Sequence, residues 1–433
     1  MGFMKKYLSL VVPVSLVLAA VFLYIPTKMI GGSLSSDIKS KSLTSAQQID
    51  AMLRNVPSSR QHQMEMDYQN RYSEDALRIN KLSVQTTQRS LISYKIFPEP
   101  KDDSQQLFDV FADSYCEEIK GLVKLINGRD APDEDDLKRK LGAPSASRRL
   151  SGAKSSYNRK VDAICLKTAK SISAYASPQL FAWYNFWNDW KDVEFPGQEA
   201  AIEYCWYSQI AYWVYQDIID SISQMNSDAD SVLTSEVKRL IGVNFEKIVT
   251  DPDKKKTAVV AMVEDRPEYV TETKEPTIGK TVAWTNRISG KHIDVVHFSM
   301  AVLVDSKSVM TFMKTLCSQK EHSYRAGYSE KGDEFSYNHN QITILSSEVS
   351  PVNPESSVHE YYRYGDNAVV RLGLVGEYIL VRSGYERIKP DSVKKLLELK
   401  SGMQMPQAYK KPAKKKSSPK KKPLTSRKIE TDF

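Results

Sequence analysis

The sequence is short of the residues from which common active sites are built. Its six histidines, His62, His292, His297, His322, His339 and His359, are scattered through 433 residues. None forms an HExxH or another ligand pair at helical spacing, so no metal centre is expected. His292 and His297 fall on one expected strand but five residues apart, hence on opposite faces. The four cysteines, Cys116, Cys165, Cys205 and Cys317, have no CxxC spacing and sit in expected helices. They read as small buried hydrophobes or, outside the cytoplasm, as one or two disulfides. There is no GxSxG elbow, no GxxxxGK[ST] loop and no GxGxxG after a strand. Gly373 and Gly376 lie within an expected strand, where they mark a close approach or a bulge. The acidic stretch 130–136 lacks the ligand alternation, glycine and closing glutamate of a calcium loop. The chain therefore reads as non-enzymatic, with no catalytic, cofactor-binding or metal-binding residue, although an acid–base pair assembled from distant residues leaves no local motif.

Charge of one sign is also lacking over most of the chain. The formal net charge of +8 arises after Met403, where ten Lys and Arg stand against two acids, and the rest carries 51 of each sign. Lysine and proline at the density of Lys410–Lys422 cannot bury a core, so 403–433 is expected to be a disordered basic tail. No aromatic is interleaved to stack on bases. Nucleic acid is thus not an expected partner, and contact of 410–428 with an anionic polymer or lipid would be blind to sequence.

Long apolar runs are absent but for one. Tyr7–Pro26 is twenty residues without a charge, the length an α-helix needs to cross a bilayer. It predicts a single transmembrane anchor in 1–28, with the short stub bearing Lys5 and Lys6 in the cytoplasm and the bulk outside; a cleaved signal peptide is the alternative. Residues 29–96 follow as an amphipathic stalk. A thin apolar stripe, Ile49, Leu53, Val56, Tyr68, Tyr72, Ala76, Ile79 and Leu82, recurs at helical spacing and suits a coiled coil with a partner. All of these but Ala76 form the candidate partner interface.

Residues 97–228 read as a helical region. One helix carries Leu107, Phe111, Tyr115, Ile119, Leu122 and Ile126 on one face, and 142–156 reads as a flexible loop. Five of the six tryptophans lie between Trp183 and Trp213, at spacings that fit a core between two helices, or a surface for stacking on sugars. From 229 to 402 the expected order is helix (Val232–Phe245), strand (Lys256–Val263), strand (Ile293–Val304), helix (Val309–Leu316), strand (Gln341–Val349), strand (Ala368–Arg382) and a closing helix after Pro390. Antiparallel strands with helices on one face form a two-layer sandwich, so the fold class is α+β.

An N-terminal anchor in Tyr7–Pro26, a stripe from Ile49 to Leu82 and a module from Val232 to Arg382 resemble the inner-membrane alignment proteins of type IV pilus and type II secretion machines, the PilO and GspM type. The resemblance implies a ferredoxin-like αββαββ module, no catalytic residues or cofactor, and a scaffold at the inner membrane with its bulk in the periplasm. It also implies partners among the assembly proteins of such a machine, as a homodimer or as a heterodimer with a related protein. Two other classes compete: an anchored glycan- or polymer-binding module using the tryptophans, and a tethered polyanion binder using the tail.

Overall fold

The computed structural model describes residues 8–54, 58–97, 100, 104–142, 151–245, 266–271 and 285–401. The chain divides into two units, Met1–Ile79 and Asn80–Phe433. The strand expected at Lys256–Val263, most of the loop expected at 142–156 and the basic tail lie outside the described residues.

The first unit consists of helix α1 (Leu8–Arg54) and most of helix α2 (Ser59–Thr87). A reciprocal cap starts α2: the Ser58 amide donates to Gln61 Oε1 at 2.9 Å and the Gln61 amide to Ser58 Oγ at 3.2 Å, satisfying two of the donors that a helix start leaves open. Every described side chain from Pro13 to Ile79 is exposed.

The expected membrane anchor is corrected here. Among the described residues no helix is long and apolar enough to cross a membrane. Tyr7 and the side chains at 8–12, 15, 23, 25 and 26 lie outside the described residues, which interrupts the apolar run. What is described belongs to a 47-residue helix that continues through Lys28, Asp37, Lys39, Lys41 and Asp50. The transmembrane element of the expected fold class, the single-pass inner-membrane location and the periplasmic placement of the bulk rested on that anchor and are withdrawn with it.

The second unit is α+β. Helices α3 (Gln105–Leu125), α4 (Glu134–Leu141), α5 (Ser151–Ser171), α6 (Tyr184–Asn188) and α7 (Gln198–Met225) precede strands β1 (Val237–Asn244) and β2 (Ile293–Asp305). Then come α8 (Val309–Leu316), β3 (Lys320–Arg325), β4 (Glu334–His339), β5 (Ile342–Pro351), β6 (Val369–Val381), α9 (Arg382–Tyr385) and α10 (Asp391–Ser401). The main sheet is antiparallel in the order β1-β2-β6-β5, and β3-β4 form a separate hairpin. This α+β content is compatible with a ferredoxin-like layout.

The central strands β2 and β6 are buried along most of their length because both of their faces are covered, polar positions such as His297, Ser299 and Glu377 included. On β2, Val296, Phe298, Met300, Val302 and Val304 join the main core, and Leu303 joins a second cluster with Tyr175, Val232 and Tyr364. Opposite Phe298 stands Gly376 of β6. A Cβ there would lie 2.7 Å from the Phe298 ring, so the glycine expected to mark a close approach does so.

Two further expectations are corrected. Val232–Phe245 was expected as the module's first helix but contains β1, and α7 is the helix that precedes the sheet. Val237, Leu240 and Ile241 fit a helical period as well as a strand. Two register irregularities against β2 break the alternation that would have identified the strand. The connection between Leu316 and Gln341, around Gly327 and Gly332, for which no strand is expected, holds the β3-β4 hairpin; its sequence is too polar for alternation to show.

Candidate functional site

The residues expected to meet a partner lie on the helices. Ile49 is exposed on α1; Tyr68, Tyr72, Ile79 and Leu82 are each half or more exposed on α2. Steps of four, seven and three residues at about 100° each keep these four α2 positions within one arc of the helix. The side chain of Leu53, and Val56 altogether, lie outside the described residues.

Five of the six tryptophans take no part in any surface, and Trp284 lies outside the described residues. Trp183, Trp187, Trp190, Trp206 and Trp213 are at most 2% exposed. Trp206 stacks on Tyr385 with centroids 5.8 Å apart and donates its indole N–H to Tyr269 Oη at 2.9 Å; the Trp187 indole donates to Ser208 Oγ at 2.7 Å. These rings are core, and no indole face is left on which a sugar could stack. All four cysteines are unbonded, and burial pushes the Cys116 thiol up to about 11.

The densest chemistry lies where no motif pointed, around Arg89. Beyond the end of α2 the chain becomes a strap, Thr87–Ile92, sewn into the second unit at nearly every residue. The Val381 amide donates to Thr87 Oγ1 at 2.9 Å, the Ser90 amide to the Ser323 carbonyl at 3.0 Å, the Trp213 indole to the Ser90 carbonyl at 2.9 Å, and the Ile92 amide to Gln209 Oε1 at 2.8 Å. Arg89 projects from this strap into the interior. Its Nη2 lies 3.0 Å from Asp217 Oδ1 and 2.8 Å from Gln216 Oε1, both on α7, and its Nη1 lies 3.1 Å from Asp217 Oδ2. Nη1 also donates to Tyr378 Oη of β6, which in turn meets Asp217 Oδ2 at 2.9 Å and Gln341 Oε1 at 2.8 Å.

The hairpin adds two imidazoles. His339 Nε2 lies 2.8 Å from Asp217 Oδ2 and 3.2 Å from Arg89 Nη1, His339 Nδ1 lies 2.7 Å from His322 Nδ1, and His322 Nε2 lies 2.9 Å from the Gln88 carbonyl. Arg89, Asp217, His322, His339 and Tyr378 are at most 4% exposed. Burial opposes the charge on Asp217, but Arg89 and His339 outweigh it and hold the carboxyl well below the usual range. Burial and the Arg89 charge push His322 down to about 3. Burial likewise lowers His339, against the pull of Asp217. Charges and imidazoles in such contact can pass or hold a proton, but the cluster is closed and presents no face to a substrate.

Sequence reasoning named His322 and His339 only as scattered histidines. Their convergence follows from the β3-β4 register, which sets Lys320 opposite His339 and His322 opposite Tyr337. A hairpin reading of 320–339 would have brought the rings together; Arg89 and Asp217, 128 residues apart, carried no signal of their meeting. Among the described residues no group of His, Cys, Asp and Glu could hold a metal ion. A cleft of about 440 Å³ lies between α4, α5 and the 360–363 turn. Its cations are already paired, Arg363 with Asp162 at 2.8 Å and Lys138 with Glu134 at 3.2 Å. No family model, curated protein or solved structure matches the chain.

Proposed function

We propose that this protein is a non-catalytic assembly component that docks on a helix of another protein through the stripe on α2, with the α/β unit as its folded body. The observation that supports the reading is the exposure of every described side chain from Pro13 to Ile79, with Tyr68, Tyr72 and Ile79 on one arc of α2. A helix gains most of its stability from packing an apolar face, so a stretch such as Ser59–Ile79 that buries none of its side chains is marginal until a partner covers it. An amphipathic helix presenting anchors at such spacings is a common mode of recognition between proteins. The resemblance to alignment proteins of pilus and secretion machines suggests the class of partner, another helical assembly protein; the placement across a membrane is not part of the proposal.

The test is photo-crosslinking from Tyr68, Tyr72 and Ile79 of the full chain in cells. One discrete adduct is expected from all three positions and none from Asn70 on the opposite side of the helix. Tyr72→Asp should abolish the adduct formed from Tyr68 while leaving the circular dichroism of the protein unchanged. Absence of any adduct, together with full function of the Asp variant, would overturn the proposal.

A further inference from the structure

We infer that Asp75 sets the register of the docking face on α2, and that the partner helix meets it with an arginine from the middle of its own apolar seam. The inference rests on the docking proposed above and names the partner's chemistry. Met64, Tyr68, Tyr72, Asp75 and Ile79 follow one another at steps of four, four, three and four residues. At about 100° per residue these steps stay on one face of a helix, and Asp75 falls about 20° from Tyr68 and about 40° from Ile79. The four others are between 63% and 69% exposed. Asp75 is the one charge among the five.

In the isolated chain this carboxylate is solvated. Asp75 is exposed, and among the described residues its side chain forms no ion pair or hydrogen bond, even with Arg71 and Arg78 one turn to either side. A helix that covers Tyr68, Tyr72 and Ile79 also strips water from the carboxylate between them. Without a counter-charge that step is strongly unfavourable, so docking requires a cation at this level of the partner. A guanidinium suits both features of the face: it offers a carboxylate two parallel N–H donors, and it lies on tyrosine rings such as that of Tyr72. A single polar position in an apolar seam fixes the register of two helices, because any slip leaves the charge unpaired.

The same charge argues against a second copy of this chain as the occupant. Two α2 helices paired parallel and in register would set Asp75 against Asp75, like charge on like. Paired antiparallel, the five seam positions supply no arginine. Helix α1 has none before Arg54 at its end. The occupant is a helix of a different protein.

Photo-crosslinking from Tyr72 of the full chain in cells tests this, with substitutions at Asp75, which the fold does not bury. Asp75→Glu should keep at least about half of the wild-type adduct, whereas Asp75→Leu and Asp75→Arg should cut it below about a tenth. The partner peptide in the adduct should hold an arginine within about two helical turns of the crosslinked residue. Replacing that arginine by Asp should restore the adduct of Asp75→Arg. An undiminished adduct from Asp75→Leu, a peptide without arginine, a failed restoration or an adduct between two copies of this chain would each overturn the inference while leaving α2 a docking face. No adduct from the wild-type chain would overturn the docking itself, and the inference with it.

Discussion

The two units use their aromatic and apolar residues in opposite ways. Tyr68 and Tyr72 stand exposed on α2, whereas Tyr115, Tyr215, Tyr378 and Tyr385 of the second unit are fully buried. The second unit also encloses charges, Arg89 against Asp217 and Lys389 against Asp294 at 2.6 Å. Such groups are tolerable inside only when every charge meets a counter-charge and further hydrogen bonds. The same residue types therefore mean different things in the two regions. In the second unit a substitution is read by the fold; in the first, by whatever partner covers the helix.

That contrast is most sharply broken by removing a ring from the core. Trp206→Ala deletes an indole that stacks on Tyr385, meets the edge of Phe97 and donates to Tyr269. It should destabilise the second unit by about 3–5 kcal/mol, measured by denaturant unfolding. A loss below about 1 kcal/mol would mean that the site collapses around the gap.

A middle-sized effect is expected from acid. Burial pushes His297 on β2 down to about 4. Its contribution is complete above the unfolded value of about 6.5 and is lost as pH falls from there toward 4, a span worth roughly 3 kcal/mol. His297→Gln should flatten the pH dependence of unfolding across that window by a comparable amount, and an unchanged slope would show that the ring takes up its proton equally in the folded and unfolded states.

The smallest effect belongs to the first unit. Tyr72→Ala should change the unfolding free energy of the second unit by no more than about 0.5 kcal/mol, because surface substitutions away from packed features rarely do more. A larger shift would mean that this face of α2 is covered in the isolated chain.

Much of the sheet was legible along the chain. The alternation through Ile293–Val304 locates β2, and the helix expected at Val309–Leu316 is α8 with the same bounds. These segments carry their own signal: a period of two that ends at Asp305, whose carboxylate accepts from the Lys307 amide at 3.1 Å as the helical turn begins. The hairpin β3-β4 carries none. Lys320, His322 and Tyr324 alternate with Glu321, Ser323 and Arg325, polar against polar, and only burial on one side distinguishes them. The membrane anchor shows the converse, an apolar run that was convincing by length alone and did not yield a helix meeting the requirement over the described residues.

By itself the sequence determined what local periodicity and composition can encode: the α+β class, the two central strands, the helix between the sheet's two halves, and an apolar stripe on α2 too narrow for a core of its own. Tertiary structure alone decided that Val237–Asn244 is a strand and that five tryptophans lie inside. It also decided that Arg89, Asp217, His322, His339 and Tyr378 share one enclosed space. The reason is the range of the interactions. Periodicity is written within a few residues, whereas the partner that neutralises a buried charge can come from anywhere in the chain, as Asp217 does for Arg89.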